Sequence, residues 1–361
     1  MAESNMKDRI YVCHTFYHVY IAVLKELKLP ETKRGGATLV LSTMSNDFGS
    51  MKERAQKSGL FEAVYMFDEK EDVKLPNVMA YHRDRGNIIL NLSQRVKYTR
   101  ELGKAQEPYV PVDFKEYGDI YVFCDSDPIG YYLNYKHIYY HALEDGLDTV
   151  VYCDDARYGN RGHFALKAFM ARRGLIFIEN GYSKYCIDME VNDISAIKYK
   201  NDAYREVPRK TLTENLTEQD KQILINLFME APEQLLSQAK AAPEGKKKVM
   251  ILSDPVCDLK TRKRIMRDII EKYAKDAVVF IKPHPRDVLD YDTEDFSDCI
   301  VIKGRFPMEM MNFYEELHMN TVISILTVVD AIEFADEKIM LGNDFMDLYE
   351  DPKIHRQNEQ I

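Results

Sequence analysis

Several stretches of this chain place reactive side chains directly after apolar runs. In "VVFIKPHPRDVL", Val278 to Leu289, His284 stands between Pro283 and Pro285, just behind Lys282. Proline fixes its own φ and pushes the residue before it toward extended geometry, so the corner is stiff and His284 has a defined direction. An imidazole there can bind phosphate oxygens or pass a proton to a departing phosphate. It can equally cap a carbonyl at the strand exit. In "HALEDGLD", His141 to Asp148, the carboxyls of Glu144 and Asp145 precede Gly146. Neighbouring carboxylates raise each other's pKa, which suits a general base, and a hydroxyl nucleophile needs one. An Asp-Gly turn is the competing reading.

Three further stretches complete the candidates. "NTVISILTVVDAIEF" ends a strand at Ser324 and puts Thr327 where it can cap a following helix. Hydroxyls together with free N–H groups at a helix start bind anions, although ordinary capping accounts for the same residues. "GRFPMEMM" sets Glu309 in the first turn behind Pro307. An acid so placed can accept ribose hydroxyls or simply answer the helix dipole. "VCHTFYHVY" brings His14, Thr15 and His18 just past the first strand, where they can touch a sugar acceptor or pack internally. The adjacent acids Asp154 and Asp155 suggest a metal, but no third ligand matches them, and they are read as solvated or structural.

The elements that must carry these residues alternate regularly. "RIYVCHT", "ATLVLST", "FEAVYMF", "GDIYVFCD" and "YYHAL" read as strands. Between and after them, "YHVYIAVLKELK", "NLSQRVKYTRELGK", "DPIGYYLNYK" and "HFALKAFMARRG" read as helices, the last closed by Gly174. Asn192 to Lys210 is polar and poorly periodic. "LTEQDKQILINLFME" is a helix with Thr217 at its N-cap, and "AKAAPEGKKK" reads as a linker with its hinge at Ala241 to Lys246. A second alternating set follows. Its strands are "KVMILSD", "AVVFIKP", "DCIVIKG", "NTVISI" and "KIMLGND". Its helices are "LKTRKRIMRDIIEKYAK", "PMEMMNFYEELH" and "VVDAIEFAD". Such alternation predicts parallel sheets with helices on both faces. The expected fold is α/β, with two Rossmann-like doubly wound domains facing across a cleft, residues 1–240 and 246–361. Ligands of such sheets bind beyond the carboxyl ends of the strands, where the candidate residues lie.

Bulk properties narrow the function. The chain has 361 residues, 45% hydrophobic, 30% charged, and a net charge of −10. That charge disfavours a general nucleic-acid binder. Six scattered cysteines without a CxxC pair disfavour a zinc site or disulfide framework and fit a reducing compartment. The N-terminus lacks a signal-type apolar core, and "TVISILTVV" is too short to span a bilayer. The expected location is cytoplasmic, at the inner face of the cell membrane. The GxxxxGK[ST], HExxH, GxSxG and GxGxxG patterns are absent, which disfavours P-loop and nicotinamide chemistry.

The order of these motifs resembles bacterial sialyltransferases, and glycosyltransferase family 52 in particular. The resemblance runs from "VCHTFYH" to "SILT". It implies a GT-B arrangement, CMP-sialic acid as donor, a galactose-type hydroxyl on a glycan or glycolipid as acceptor, and inverting transfer with no metal or other cofactor. By the family pattern, Glu144 or Asp145 is the base and His284 binds or protonates the CMP phosphate. Ser324 and Thr327 match a phosphate-holding hydroxyl pair, although it is not a plain Ser-Ser here. Glu309 matches the ribose-binding acid, with Lys282 and Pro285 beside the phosphate, and His14, Thr15 and His18 are left to the acceptor. Peripheral membrane contact and a homodimer are compatible with this reading. The alternatives are a cell-envelope transferase with a CDP-glycerol-like donor, or a non-catalytic nucleotide-sugar binding protein.

Overall fold

The computed structural model describes residues 6–123, 125–146, 150, 151, 153, 154, 160–243, 245–314 and 316–355. The chain separates into two compact units, Met1–Thr217 and Glu218–Ile361.

Among the described residues, the first unit holds a seven-stranded sheet. Its strands are β1 Lys7–Cys13, β2 Ala37–Ser42, β3 Phe61–Phe67, β4 Tyr117–Phe123, β5 Tyr140–Leu143, β6 Cys186–Val191 and β7 Tyr204–Glu206. The order is β3-β2-β1-β4-β5-β6-β7, with every neighbouring pair parallel. All six residues of β2 are buried, as a parallel strand covered on both faces requires. Ile10, Val12, Val40, Val122, Leu133 and Ala142 form part of the core. Strand order reverses between β1 and β4, and such reversals open a crevice at the carboxyl ends. Residues 14–18 and 125–129 leave the sheet there. Helix Phe16–Leu27 starts at that edge, capped by Thr15, whose hydroxyl accepts the His18 N–H at 3.1 Å. Helix Pro128–Lys136 begins with proline, pre-shaped for a first turn. It lies so close to the connection just past β4 that a Cβ on Gly130 would stand 1.8 Å from the Asp125 carbonyl oxygen.

The second unit holds, among the described residues, a five-stranded parallel sheet in the order β10-β9-β8-β11-β12. The strands are β8 Lys248–Leu252, β9 Val278–Lys282, β10 Cys299–Val301, β11 Met319–Ser324 and β12 Ala335–Met340. Order reverses between β8 and β11. Helix Leu259–Tyr273 is capped by Asp258 and buries Ile265, Met266 and Ile269 against the sheet.

Several local expectations change. Helices Glu218–Phe228 and Pro232–Lys240 belong to the second unit, the first of them packing on the turn Met308–Phe313. The division therefore precedes the charged segment at Ala241 to Lys246. The stretch "PMEMMNFYEELH" forms only a 3₁₀ turn, Met308–Phe313. "VVDAIEFAD" forms no helix: residues 328–334 are turns and irregular chain leading into β12. Two successive β-branched valines resist helix. Strands β6 and β7, absent from the sequence reading, extend the first sheet.

Candidate functional site

The acidic pair after β5 is split by its surroundings. Glu144 is 5% exposed, and its Oε2 accepts the Asn192 N–H at 2.7 Å. Burial raises its pKa above the usual carboxylate range. Its backbone carbonyl also accepts from Arg209 at 3.1 Å. Glu144 therefore ties down the chain that follows β6. Asp145 instead keeps a side chain 36% exposed, and its Oδ1 accepts a hydrogen bond from His18 Nε2. Fully buried, His18 stacks on Phe123 with ring centroids 4.6 Å apart. Its Nδ1 accepts the His14 backbone N–H at 3.1 Å, which leaves the ring proton on Nε2, toward Asp145. Burial holds the His18 pKa down, so the ring is neutral and acts as a fixed donor. A half-exposed carboxylate braced by a buried neutral imidazole can accept a proton from a hydroxyl.

His14 is 1% exposed, and its Nε2 meets Glu69 at 2.7 Å and Asp127 at 3.4 Å. Burial pushes its pKa down, but the charges of Glu69 and Asp127 outweigh that and raise it to about 9. Glu69 also accepts the Ser42 hydroxyl and the Ile129 N–H, each at 2.6 Å. This buried acid joins β2, β3 and the start of helix Pro128–Lys136 to the histidine. Among the described residues His14 Nδ1 has no hydrogen-bond partner. Thr15, His14 and His18, expected at an acceptor, are thus taken up by the cap, Glu69 and Asp145 respectively. Asp154 accepts from Tyr199 at 2.7 Å and Lys198 at 3.2 Å, while Asp155 lies outside the described residues.

A pocket of about 1020 Å³ opens in the same unit, reaching Ser126, Asp127 and Pro128 at the strand-order reversal. Tyr98, Tyr131, Asp72, Asn91, Gln94 and Arg95 are among the residues that line it. Arg95 donates to the Phe177 carbonyl at 3.2 Å and stands over the Tyr98 ring. A lining that mixes planar polar side chains with tyrosines suits a saccharide, whose hydroxyls alternate with apolar C–H faces.

In the second unit the corner after β9 is as stiff as its prolines imply. Asp287 N–H returns to the His284 carbonyl at 2.8 Å, closing a turn with Pro285 at its second position. The Asp287 side chain is fully buried and anchored by Arg262 at 2.5 Å, Ser253 at 2.5 Å and Tyr291 at 2.8 Å. Ser253 in turn accepts the His284 backbone N–H at 3.0 Å. The ring's Nδ1 accepts the Arg286 N–H at 3.1 Å, which puts the proton on Nε2. Burial and then Arg286 lower its pKa, so His284 is a neutral Nε2–H donor. Protonating Nδ1 would oppose it to the Arg286 N–H. The geometry fits binding a phosphate oxygen better than supplying a proton to it.

Other donor-side residues depart from expectation. Lys282 is 3% exposed, with its amine over the Phe306 ring at 4.2 Å and donating to the Pro283 carbonyl at 2.9 Å. Burial pushes its pKa down to about 7, against the opposing charge of Glu309. Burial likewise raises Glu309, which occupies the first turn behind Pro307 as expected. Ser324 is fully buried and donates to the Thr327 carbonyl at 2.6 Å. Thr327 caps no helix: its hydroxyl donates to Asp254 at 2.5 Å. Asp254 also takes the nearby N–H groups expected to meet a phosphate.

Residues 86–340, more than half of the chain, match the model of glycosyltransferase family 52. The chain belongs to glycosyltransferase family 52. It is therefore a glycosyltransferase. A search of curated proteins returns no match. Among solved structures, the α/β-galactoside α-2,3-sialyltransferase of Photobacterium phosphoreum is similar in fold: TM-score 0.52, 13% identity, covering 92% of this chain and 89% of that one. The GT-B domain of the Photobacterium damselae sialyltransferase gives 0.48 at 11% identity, over 88% of this chain and 86% of that one. The two α/β units of the family 52 chain are those of GT-B transferases.

Glu69, Asp127, Asp254 and Asp287 escaped the sequence reading. Glu69 stands in the acidic run Asp68 to Asp72, and Asp127, Asp254 and Asp287 each have another aspartate within a few residues, so nothing in the sequence sets them apart. Asp287 was nonetheless within the quoted His-Pro stretch, and Asp127 precedes a helix-starting proline.

Proposed function

We propose that this family 52 glycosyltransferase moves a sialyl residue from CMP-sialic acid to a hydroxyl of a galactose-terminated glycan, by metal-independent inverting displacement. The observation that carries the reading is the bond from buried His18 to half-exposed Asp145. Asp145 takes the proton of the attacking hydroxyl, worth roughly a hundred- to ten-thousandfold in rate. His284, through its fixed Nε2–H, stabilises the charge growing on the CMP phosphate, and Glu309 accepts the ribose hydroxyls. The acceptor saccharide occupies the pocket of Tyr98, Tyr131 and Arg95. His14 and His18 act behind it as positioning residues.

Among the described residues no helix is long and apolar enough to cross a membrane. Contact with the inner face of the cell membrane is supported instead by exposed apolar residues. Ile88, Ile89 and Leu90 are 52%, 73% and 52% exposed, and Phe169 is 54% exposed with the Arg173 guanidinium over its ring. Basic residues beside apolar ones favour an anionic lipid surface.

The deciding experiment incubates the protein with CMP-sialic acid and lactose and follows CMP and sialyl-lactose by mass spectrometry. Formation of both supports the reading. Turnover of another nucleotide sugar, with none of CMP-sialic acid, would retire the donor.

A further inference from the structure

Asp254 follows β8, at the reversal of strand order in the second sheet. Its carboxylate is a convergence point. Oδ2 accepts the N–H groups of Ile325 at 3.3 Å, Leu326 at 3.0 Å and Thr327 at 3.4 Å. Oδ1 accepts the Thr327 hydroxyl at 2.5 Å. Successive backbone N–H groups aimed at one point form an anion-binding nest. The reversal of strand order is also where an open parallel sheet takes its ligand. The chain has thus built an anion site and filled it with its own side chain. Asp254 is 6% exposed, and its carbonyl accepts the Val256 N–H at 2.8 Å, so the acid is held in place.

This filled nest adjoins His284. Ser253, the residue before Asp254, accepts the His284 backbone N–H. The charge of Asp254 reaches the His284 ring.

We infer that Asp254 restricts the donor to nucleotides carrying a single phosphate. The inference rests on the transferase reading above. A lone phosphate bound to Nε2 of His284 has no need of the nest. A diphosphate brings a second anionic group toward the reversal of β8 and β11. There it meets a fixed carboxylate whose surrounding donors are already spoken for. Like charges brought together in a site poor in water are strongly disfavoured, and this is a common way to reject a wrong ligand.

The test titrates CMP and CDP calorimetrically into the full-length wild-type chain and into Asp254→Gly and Asp254→Asn. Glycine empties the nest, whereas asparagine keeps its shape without the charge. If one variant does not fold, the other gives the same readout. Wild type is expected to prefer CMP over CDP by about tenfold or more, and the variants to shrink that ratio by a similar factor. An identical CDP-to-CMP ratio in all three proteins would overturn the inference. So would a wild type that binds CDP as tightly as CMP. A wild type that binds neither nucleotide takes down the cytidine-donor reading, and this inference with it.

Discussion

Replacing Asp145 with asparagine and Glu144 with glutamine separates two carboxylates that adjoin in the chain but not in their tasks. Asparagine at 145 keeps an oxygen to accept the His18 Nε2–H, so folding should change by no more than about 1 kcal/mol. It cannot take a proton, and transfer should fall by roughly a hundred- to ten-thousandfold, about 3–5 kcal/mol of barrier. Glutamine at 144 keeps an oxygen for the Asn192 N–H. It also removes a carboxylate whose pKa burial has raised. An acid with a raised folded-state pKa opposes folding once the pH climbs past its unfolded value, so this change should leave stability at neutral pH level or slightly higher. Transfer by Glu144→Gln should stay near wild type. The assay is CMP release from CMP-sialic acid with lactose, run beside thermal melts of each variant. Loss of transfer in Glu144→Gln as severe as in Asp145→Asn, with an unchanged melt, would refute the division of roles.

At position 284, asparagine supplies an acceptor for the Arg286 N–H but no donor in place of Nε2, whereas glutamine places a donor near that atom. Asparagine should cost roughly a hundred- to a thousandfold in kcat and glutamine clearly less, and equal losses would speak against a donor role. For His14, the folded-state pKa is raised to about 9. Its stabilising contribution is complete below the unfolded value of about 6.5 and is lost as the pH rises through about 9. Melting temperatures of wild type should drop across that window more than those of His14→Gln, and parallel curves would remove the charge from His14.

Strands and long helices were legible because their patterns are local. "FEAVYMF" is β3 residue for residue. "LKTRKRIMRDIIEKY" carries both its apolar face and the Asp258 cap in the sequence. Strands β6 and β7 were not legible. "CIDMEV" mixes acids with apolar residues, and its pairing with β5 decides its state more than its own propensity does. "VVDAIEFAD" has helical spacing, yet residues 328–334 run as turns and irregular chain into β12, where pairing with β11 takes over. At the site, the stiffness of the His-Pro corner followed from its two prolines. Its tautomer did not, because that depends on where the Arg286 N–H points. Nor could the sequence tell Glu144 from Asp145. The distinction comes from His18, which lies more than a hundred residues away and was assigned to the acceptor.

The tight approach of Gly130 to the Asp125 carbonyl makes one codon unforgiving. Any mutation that puts a carbon on that glycine wedges the start of the helix away from the connection that follows β4. Ile129 and Asp127, which hold Glu69 and His14, travel with it. A position with no reactive group of its own is thereby as closed to drift as the residues that handle protons.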